Sequence, residues 1–205
     1  MLDIRDLEEI QLDGLREVAN IGAGHAATAL SQMTQRRIMV SVPALDIVRL
    51  EEVPDLLVKH DEIVAAVLLH ILGDLTGRAL LIFPRSSAVK LAEILLRREP
   101  GNTDEFGELE QSAIKEAGNI LCAAYMNALS DFLGMMLLPS VPVMVIDLCA
   151  AVLTTTCTNF GEERDYVFSI KTEFTMVDSE SVEGHFILLP DADSLDVILR
   201  SIRLA

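Results

Sequence analysis

Asp13-Gly14-Leu15-Arg16-Glu17-Val18-Ala19-Asn20 and Ser112-Ala113-Ile114-Lys115-Glu116-Ala117-Gly118-Asn119 carry the same pattern: Asp or Ser, then Glu four positions on, then Asn three further. The two copies are offset by 99 positions (13 to 112). In each copy a proline follows the asparagine by 23 positions, Pro43 after Asn20 and Pro142 after Asn119. The register extends beyond the motif. Ala29-Leu30-Ser31 matches Ala128-Leu129-Ser130, Ser41-Val42-Pro43 matches Ser140-Val141-Pro142, and Ile47 matches Ile146. A match sustained over this length marks an internal duplication, so whatever fold the first half takes, the second should repeat it.

Working outward, residues 6–35 read as a helix or helix pair, and residues 37–50 as a β-rich segment in which Pro43 marks an edge or a bulge. Residues 62–72 and 76–84 are apolar strands joined at Gly73-Asp74, a hairpin signal. Residues 86–98 form an amphipathic helix with Ser86 as candidate N-cap, and 99–104 (Glu-Pro-Gly-Asn-Thr-Asp) form a linker. The order then recurs: helix over 108–134, strand over 138–147, strands over 165–176 and 183–190, and a last helix over 191–203 capped by Asp191 or Asp193. Pro84 and Pro190 close equivalent strands 106 positions apart (84 to 190), so the extra residues fall near 147–164, where a short additional helix fits.

Each half is α-β-β-β-α, with too few layers to cover its own three strands. An α+β fold follows, in which two pseudo-twofold units share one mostly antiparallel six-stranded sheet with helices packed against it. We expect one domain over 1–205, with repeats of approximately 6–98 and 105–203.

Composition narrows the function classes. A net charge of −16 repels phosphate backbones, so nucleic acid is an unsuitable partner, and basic partner surfaces are favoured. The most apolar stretch, Ile63 to Leu72, is too short to span a bilayer, and the acidic start lacks an apolar signal core, so a cytoplasmic protein without membrane insertion is expected. Cys122, Cys149 and Cys157 have no zinc spacing and read as reduced, buried thiols. His25, His60, His70 and His185 are scattered without metal-ligand spacing. Gly22-Ala23-Gly24 is followed by no Lys-Ser/Thr and preceded by no strand, so it is no phosphate loop; its small residues suit close helix packing.

At 100° per residue, Asp13, Glu17, Asn20 and Gly24 share one helix face, and Leu15, Val18, Gly22, Ala26, Ala29 and Met33 the other. In the second copy Ser112, Glu116, Asn119 and Ala123 oppose Ile114, Ala117, Leu121, Tyr125, Ala128 and Phe132. The apolar stripes should turn inward and leave each Glu and Asn in solvent. Gly24 and Ala123 leave room beside the asparagines. A polar helix face is ordinarily just solvated. Here Glu, Asn and the distant Pro persist in both halves where most of the surface has diverged.

These residues resemble the CheC family of bacterial and archaeal chemotaxis phosphatases, relatives of CheX and FliY, whose signature is Asp or Ser, three residues, Glu, two residues, Asn and, some two dozen residues later, Pro. The runs from Glu17 to Gly24, from Glu116 to Cys122 and from Ala128 to Gly134 are similar to the family's as well. The resemblance implies hydrolysis of the aspartyl phosphate of the response regulator CheY. It implies Asn20 and Asn119 as the groups that orient the attacking water, and Glu17 and Glu116 as contacts to a regulator lysine. Asp13 and Ser112 would support docking or the helix start, and Pro43 and Pro142 would shape a strand. The chain would need no cofactor of its own, because Mg²⁺ is expected on the regulator. With two motifs in one chain a monomer is expected. The resemblance also implies CheD as a possible partner through the region opened by Asp147, which otherwise reads as a helix N-cap. The competing function is therefore a mainly non-enzymatic CheD-binding adaptor.

Overall fold

Ile63–Gly73 (β2) and Gly77–Pro84 (β3) form the expected hairpin, paired from Val64 opposite Pro84 to Ile71 opposite Gly77. Gly73 is required at the turn. Its φ is 115°, and a Cβ there would lie 2.2 Å from the Met136 carbonyl oxygen. Asp74 closes the turn onto the same neighbour: its N–H donates to Met136 O at 2.9 Å, and its Oδ2 accepts from Met136 N–H at 2.8 Å.

The computed structural model describes residues 9–49, 52–53, 62–99, 101, 106–157, 166–176 and 181–204. Residues 6–8 of the first helix, His60, most of the 99–104 linker and positions 158–165 lie outside the described residues. The first half comprises α1 (Glu9–Thr34), β1 (Ile38–Arg49), β2, β3 and α2 (Arg85–Leu95). The second comprises α3 (Glu108–Leu133), β4 (Leu137–Pro139), β5 (Val143–Leu148), α4 (Cys149–Cys157), β6 (Tyr166–Met176), β7 (Val182–Pro190) and α5 (Ala192–Leu204).

All pairings are antiparallel, in the order β1-β6-β7-β3-β2, with β4 and β5 both along the far side of β2. The expected six strands are present, and the sixth is broken into β4 and β5. The halves meet at β3–β7, and each surrenders its first strand to the other: β1 pairs with β6, and β5 with β2.

Both exchanged strands carry the same irregularity. Ser41 faces Glu173 and Ala44 faces Lys171, so β1 holds one residue more than β6 across Val42-Pro43. Pro139 faces Ile71 and Val143 faces Leu68, so residues 140–142 oppose only Leu69 and His70. Pro43 and Pro142 thus occupy equivalent one-residue bulges on the two sheet edges, where a residue without an N–H is tolerated. Ser140 fills the gap, exchanging backbone bonds with His70 through its N–H and its Oγ, both at 2.9 Å.

β2 over 63–69 and β3 over 79–83 are continuously apolar because both faces are covered. Ala65, Val67, Leu69, Leu81 and Phe83 point into a large core beneath α1, α2, α3 and α5, while Val64, Ala66, Leu80 and Ile82 pack with Val152 and Leu153 of α4 on the other face. The additional helix in the second half is what covers that second face. Among the described residues no helix is long and apolar enough to cross a membrane.

One capping expectation differs from the structure and another holds. α2 begins directly from the strand at Arg85, with Pro84 in the cap position and no side-chain cap, so Ser86 lies within the first turn. Asp191 does cap α5. Its Oδ1 accepts the Ser194 N–H at 3.1 Å, and its Oδ2 accepts the Thr76 hydroxyl. Partial burial pushes the Asp191 pKa up, but the bonds from Thr76 and Ser194 outweigh this and hold it below the ordinary carboxylate range. Asp191→Ala is expected to cost about 1 kcal/mol at neutral pH, read by urea denaturation. A depressed folded pKa stabilises above the unfolded pKa and is lost as pH falls through the folded one. The deficit should therefore shrink below pH ~4; a deficit undiminished in acid would remove this account.

Candidate active face on the paired helices

Helices α1 and α3 lie side by side on the large core, and small residues set how closely. A Cβ on Gly14 would sit 3.8 Å from Phe132 Cζ, and one on Gly22 would sit 2.4 Å from Tyr125 Cδ1 and 3.0 Å from Tyr125 Cα. Later residues of α1 therefore meet earlier residues of α3, and the pair is antiparallel. The repeat-equivalent positions, Ala26 and Leu121, are again a small and a large residue, both fully buried. Tyr125 also ties α3 to the sheet: its hydroxyl lies 3.2 Å from Thr172 Oγ1, and its ring centroid 4.7 Å from that of Phe186. Burial pushes the Tyr125 pKa up to about 12, so it stays a neutral structural group.

The predicted faces form in outline, with Ala29 and Phe132 only half-buried. Leu15, Val18, Gly22 and Ala26 are buried on α1, as are Ile114, Ala117, Leu121, Tyr125 and Ala128 on α3, but Met33 at the end of α1 is exposed. Asp13, Glu17, Asn20, Ser112 and Glu116 are exposed, whereas Asn119 is half-buried. The difference follows from position: α3 is flanked by α1, α2 and α5 and lies over β2 and β4, while α1 packs on α3, β1 and α5. Asn20 lies level with the stretch of α3 around residue 127, so the two asparagines are displaced by roughly 12 Å along the helix pair.

Among the described residues, the motif Glu and Asn side chains make no hydrogen bond or ion pair. Beside Asn20 the surface is open, with nothing within 4 Å of a Cβ on Gly24. An apolar cavity of about 40 Å³ lies behind this face, against Leu15, Val18, Ala19 and Phe168. Its lining on α1 is the apolar side and not the face that carries Asn20.

Neither Asp13 nor Ser112 serves as a helix start, since each lies inside its helix. Asp13 instead pairs with Arg16, Nη1 to Oδ1 at 2.8 Å. Arg16 and Lys115 stand at equivalent positions, each directly before its motif glutamate. Their signal was a basic charge, though not an identical residue, at the repeat offset. Ser31 and Ser130, noted only as repeat markers, have a structural task. Ser31 Oγ bonds both backbone groups of Ile38, at 2.9 and 3.0 Å, and Ser130 Oγ donates to Met135 O, so each ties its helix end to the chain that follows.

Pro43 and Pro142 sit in the bulges. Asp147 is the penultimate residue of β5 and not a helix cap: its Oδ1 accepts the Leu148 N–H at 2.8 Å, and α4 begins at Cys149, whose N–H donates to Glu62 O at 2.9 Å. Val143, Val145, Ile146 and Leu148 are exposed around it. Cys122 and Cys149 are free and buried, and burial raises the Cys122 thiol to about 12; the Cys157 side chain lies outside the described residues. His25 and His70 are exposed. His185 is half-buried, its pKa lowered by burial and then by Lys171. Among the described residues no group of three His, Cys, Asp or Glu could hold a metal ion.

The CheC-like family model matches residues 10–47 and 109–146, the two helix-to-strand units that bear the motifs. The chain belongs to the CheC-like family. It is 33% identical over 193 residues to the CheY-P phosphatase CheC of Bacillus subtilis, covering 93% of this chain and 92% of that protein. It is 25% identical over 129 residues to the flagellar motor switch phosphatase FliY of the same organism, covering 62% of this chain and 33% of that protein. The crystal structure of Thermotoga maritima FliY has the same fold, with a TM-score of 0.77 at 21% identity, covering 97% and 98% of the two chains.

Proposed function

We propose that this protein hydrolyses the aspartyl phosphate of the chemotaxis response regulator CheY. The observation that carries the reading is the pair of Glu and Asn side chains, unbonded among the described residues and present twice on a packed helix pair, in a chain this similar to a CheY-P phosphatase. Asn20 or Asn119 holds a water in line with phosphorus, using the acceptor and donors of a neutral amide. Glu17 or Glu116 meets a regulator lysine and fixes the docked orientation. The Mg²⁺ that neutralises the phosphoryl oxygens belongs to the regulator. Pro43 and Pro142 act indirectly, through the bulges.

The reading takes the chain as one cytoplasmic, monomeric domain built from repeats of approximately 6–98 and 105–203. The exchange of β1 and β5 between halves supports the single domain, because neither half completes its sheet alone.

A second reading, a CheD-binding adaptor, is supported by exposed Asp147 among the apolar residues of β5. Decay of phosphorylated CheY, followed with and without CheD, tests both. Catalysed decay by the chain alone is expected. A rate no faster than spontaneous hydrolysis, together with a stable CheD complex, would leave the adaptor reading.

A further inference from the structure

We propose that the cation preceding each motif glutamate, Arg16 or Lys115, is a docking residue for the anionic acyl-phosphate site of the regulator, and that the first residue of each motif sets its strength. This rests on the phosphatase reading above.

On a helix, Arg16 lies one turn from Asn20 and Lys115 one turn from Asn119, each on the flank of the amide turned away from the glutamate. Both are exposed. A partner that brings an acyl phosphate to the asparagine must then place phosphate oxygens and their surrounding carboxylates near this side chain. The chain carries a net charge of −16, which disfavours the approach of an anionic acyl phosphate, and a local cation offsets that repulsion.

The charge pattern of the two copies differs at one position, Asp13 against Ser112. In the first, Asp13 holds the Arg16 guanidinium at 2.8 Å, with side-chain exposures of 63% and 48%. In the second, Ser112 stands in the place of Asp13, and among the described residues Lys115 forms no ion pair. The Asp13, Arg16 and Glu17 cluster therefore has one net negative charge, and the Ser112, Lys115 and Glu116 cluster is neutral. The Asp-or-Ser alternative at the head of the motif thus acts as a charge setting: Asp tethers and offsets the cation, and Ser leaves it for the partner. The pair is solvent-exposed and screened, so the effect is a few-fold change in affinity that fades with salt.

The test uses the full chain with one site left active. In an Asn20→Ala background, Lys115→Gln should raise KM for phosphorylated CheY about 3-fold, leave kcat unchanged and flatten the salt dependence of kcat/KM. In an Asn119→Ala background, Asp13→Ser should lower KM about 2-fold and steepen the salt dependence, and adding Arg16→Gln should abolish that gain. The same affinities are read without turnover from the Kd for CheY loaded with Mg²⁺ and beryllofluoride. If Lys115→Gln leaves both KM and Kd unchanged, or lowers kcat at constant KM, the proposal fails. A parent chain that binds loaded CheY with the expected response to Lys115→Gln yet hydrolyses nothing would sink the phosphatase reading alone.

Discussion

The Asn20→Ala, Asn119→Ala double variant is expected to lose phosphatase activity by about 100-fold or more while unfolding as the parent does. The amide's task is to hold a water in line, and positioning supplies most of what a protein contributes to phosphoryl transfer. Neither amide makes a side-chain hydrogen bond among the described residues, so truncation removes no stabilising bond and leaves the α1–α3 contact untouched. Each single variant should retain the activity of its remaining site. Decay of phosphorylated CheY supplies the rate, and urea denaturation supplies the stability. Hydrolysis at the parental rate in a folded double variant would refute the assigned chemistry.

Gly22→Val is expected to destabilise the protein by about 2 kcal/mol and to impair both sites together. The first carbon of the new side chain would lie 2.4 Å from the Tyr125 ring and 3.0 Å from Tyr125 Cα. Ring rotation relieves the first contact but not the second, because Cα belongs to the α3 backbone. The helices must separate, and Tyr125 then loses its seat against Thr172 and Phe186. Helix propensity pulls the other way by only a few tenths of a kcal/mol. Gly24→Ala, two residues along the same helix, is the control: nothing lies within 4 Å, so removing glycine flexibility should stabilise by up to about 1 kcal/mol. A scanning melt should show the two variants shifting in opposite directions, with Gly22→Val lower by roughly 4–8 °C. A parental melting temperature for Gly22→Val would mean that the helix pair accommodates the added bulk.

Much of this was legible from local pattern. Periodicity separated the buried and exposed faces of α1 and α3, Gly73-Asp74 marked the hairpin, and Pro43 announced its bulge. The same proline in the second copy broke a strand in two, a difference of degree that one residue type could not convey. The strand exchange was not legible, because pairing Ile38 with Met176 depends on which edges remain open after the centre forms. Ser86 failed as a cap because Pro84 runs straight from strand into helix. Asp147 failed because β5 continues to Leu148. The half-burial of Asn119 follows from the central place of α3, which no helical wheel contains.

The exchange of β1 and β5 bears on how the protein reaches its native state. Among the described residues β1 pairs only with residues 166–176, so its pairing closes a loop of most of the chain, and that raises contact order and slows folding. On a ribosome, α1 and β1 emerge long before β6 exists to receive them. The first Glu/Asn pair therefore gains its final platform only when the second half has folded around it. On the proposed function, both Glu/Asn pairs are expected to mature late, and a half-made chain to offer the regulator neither.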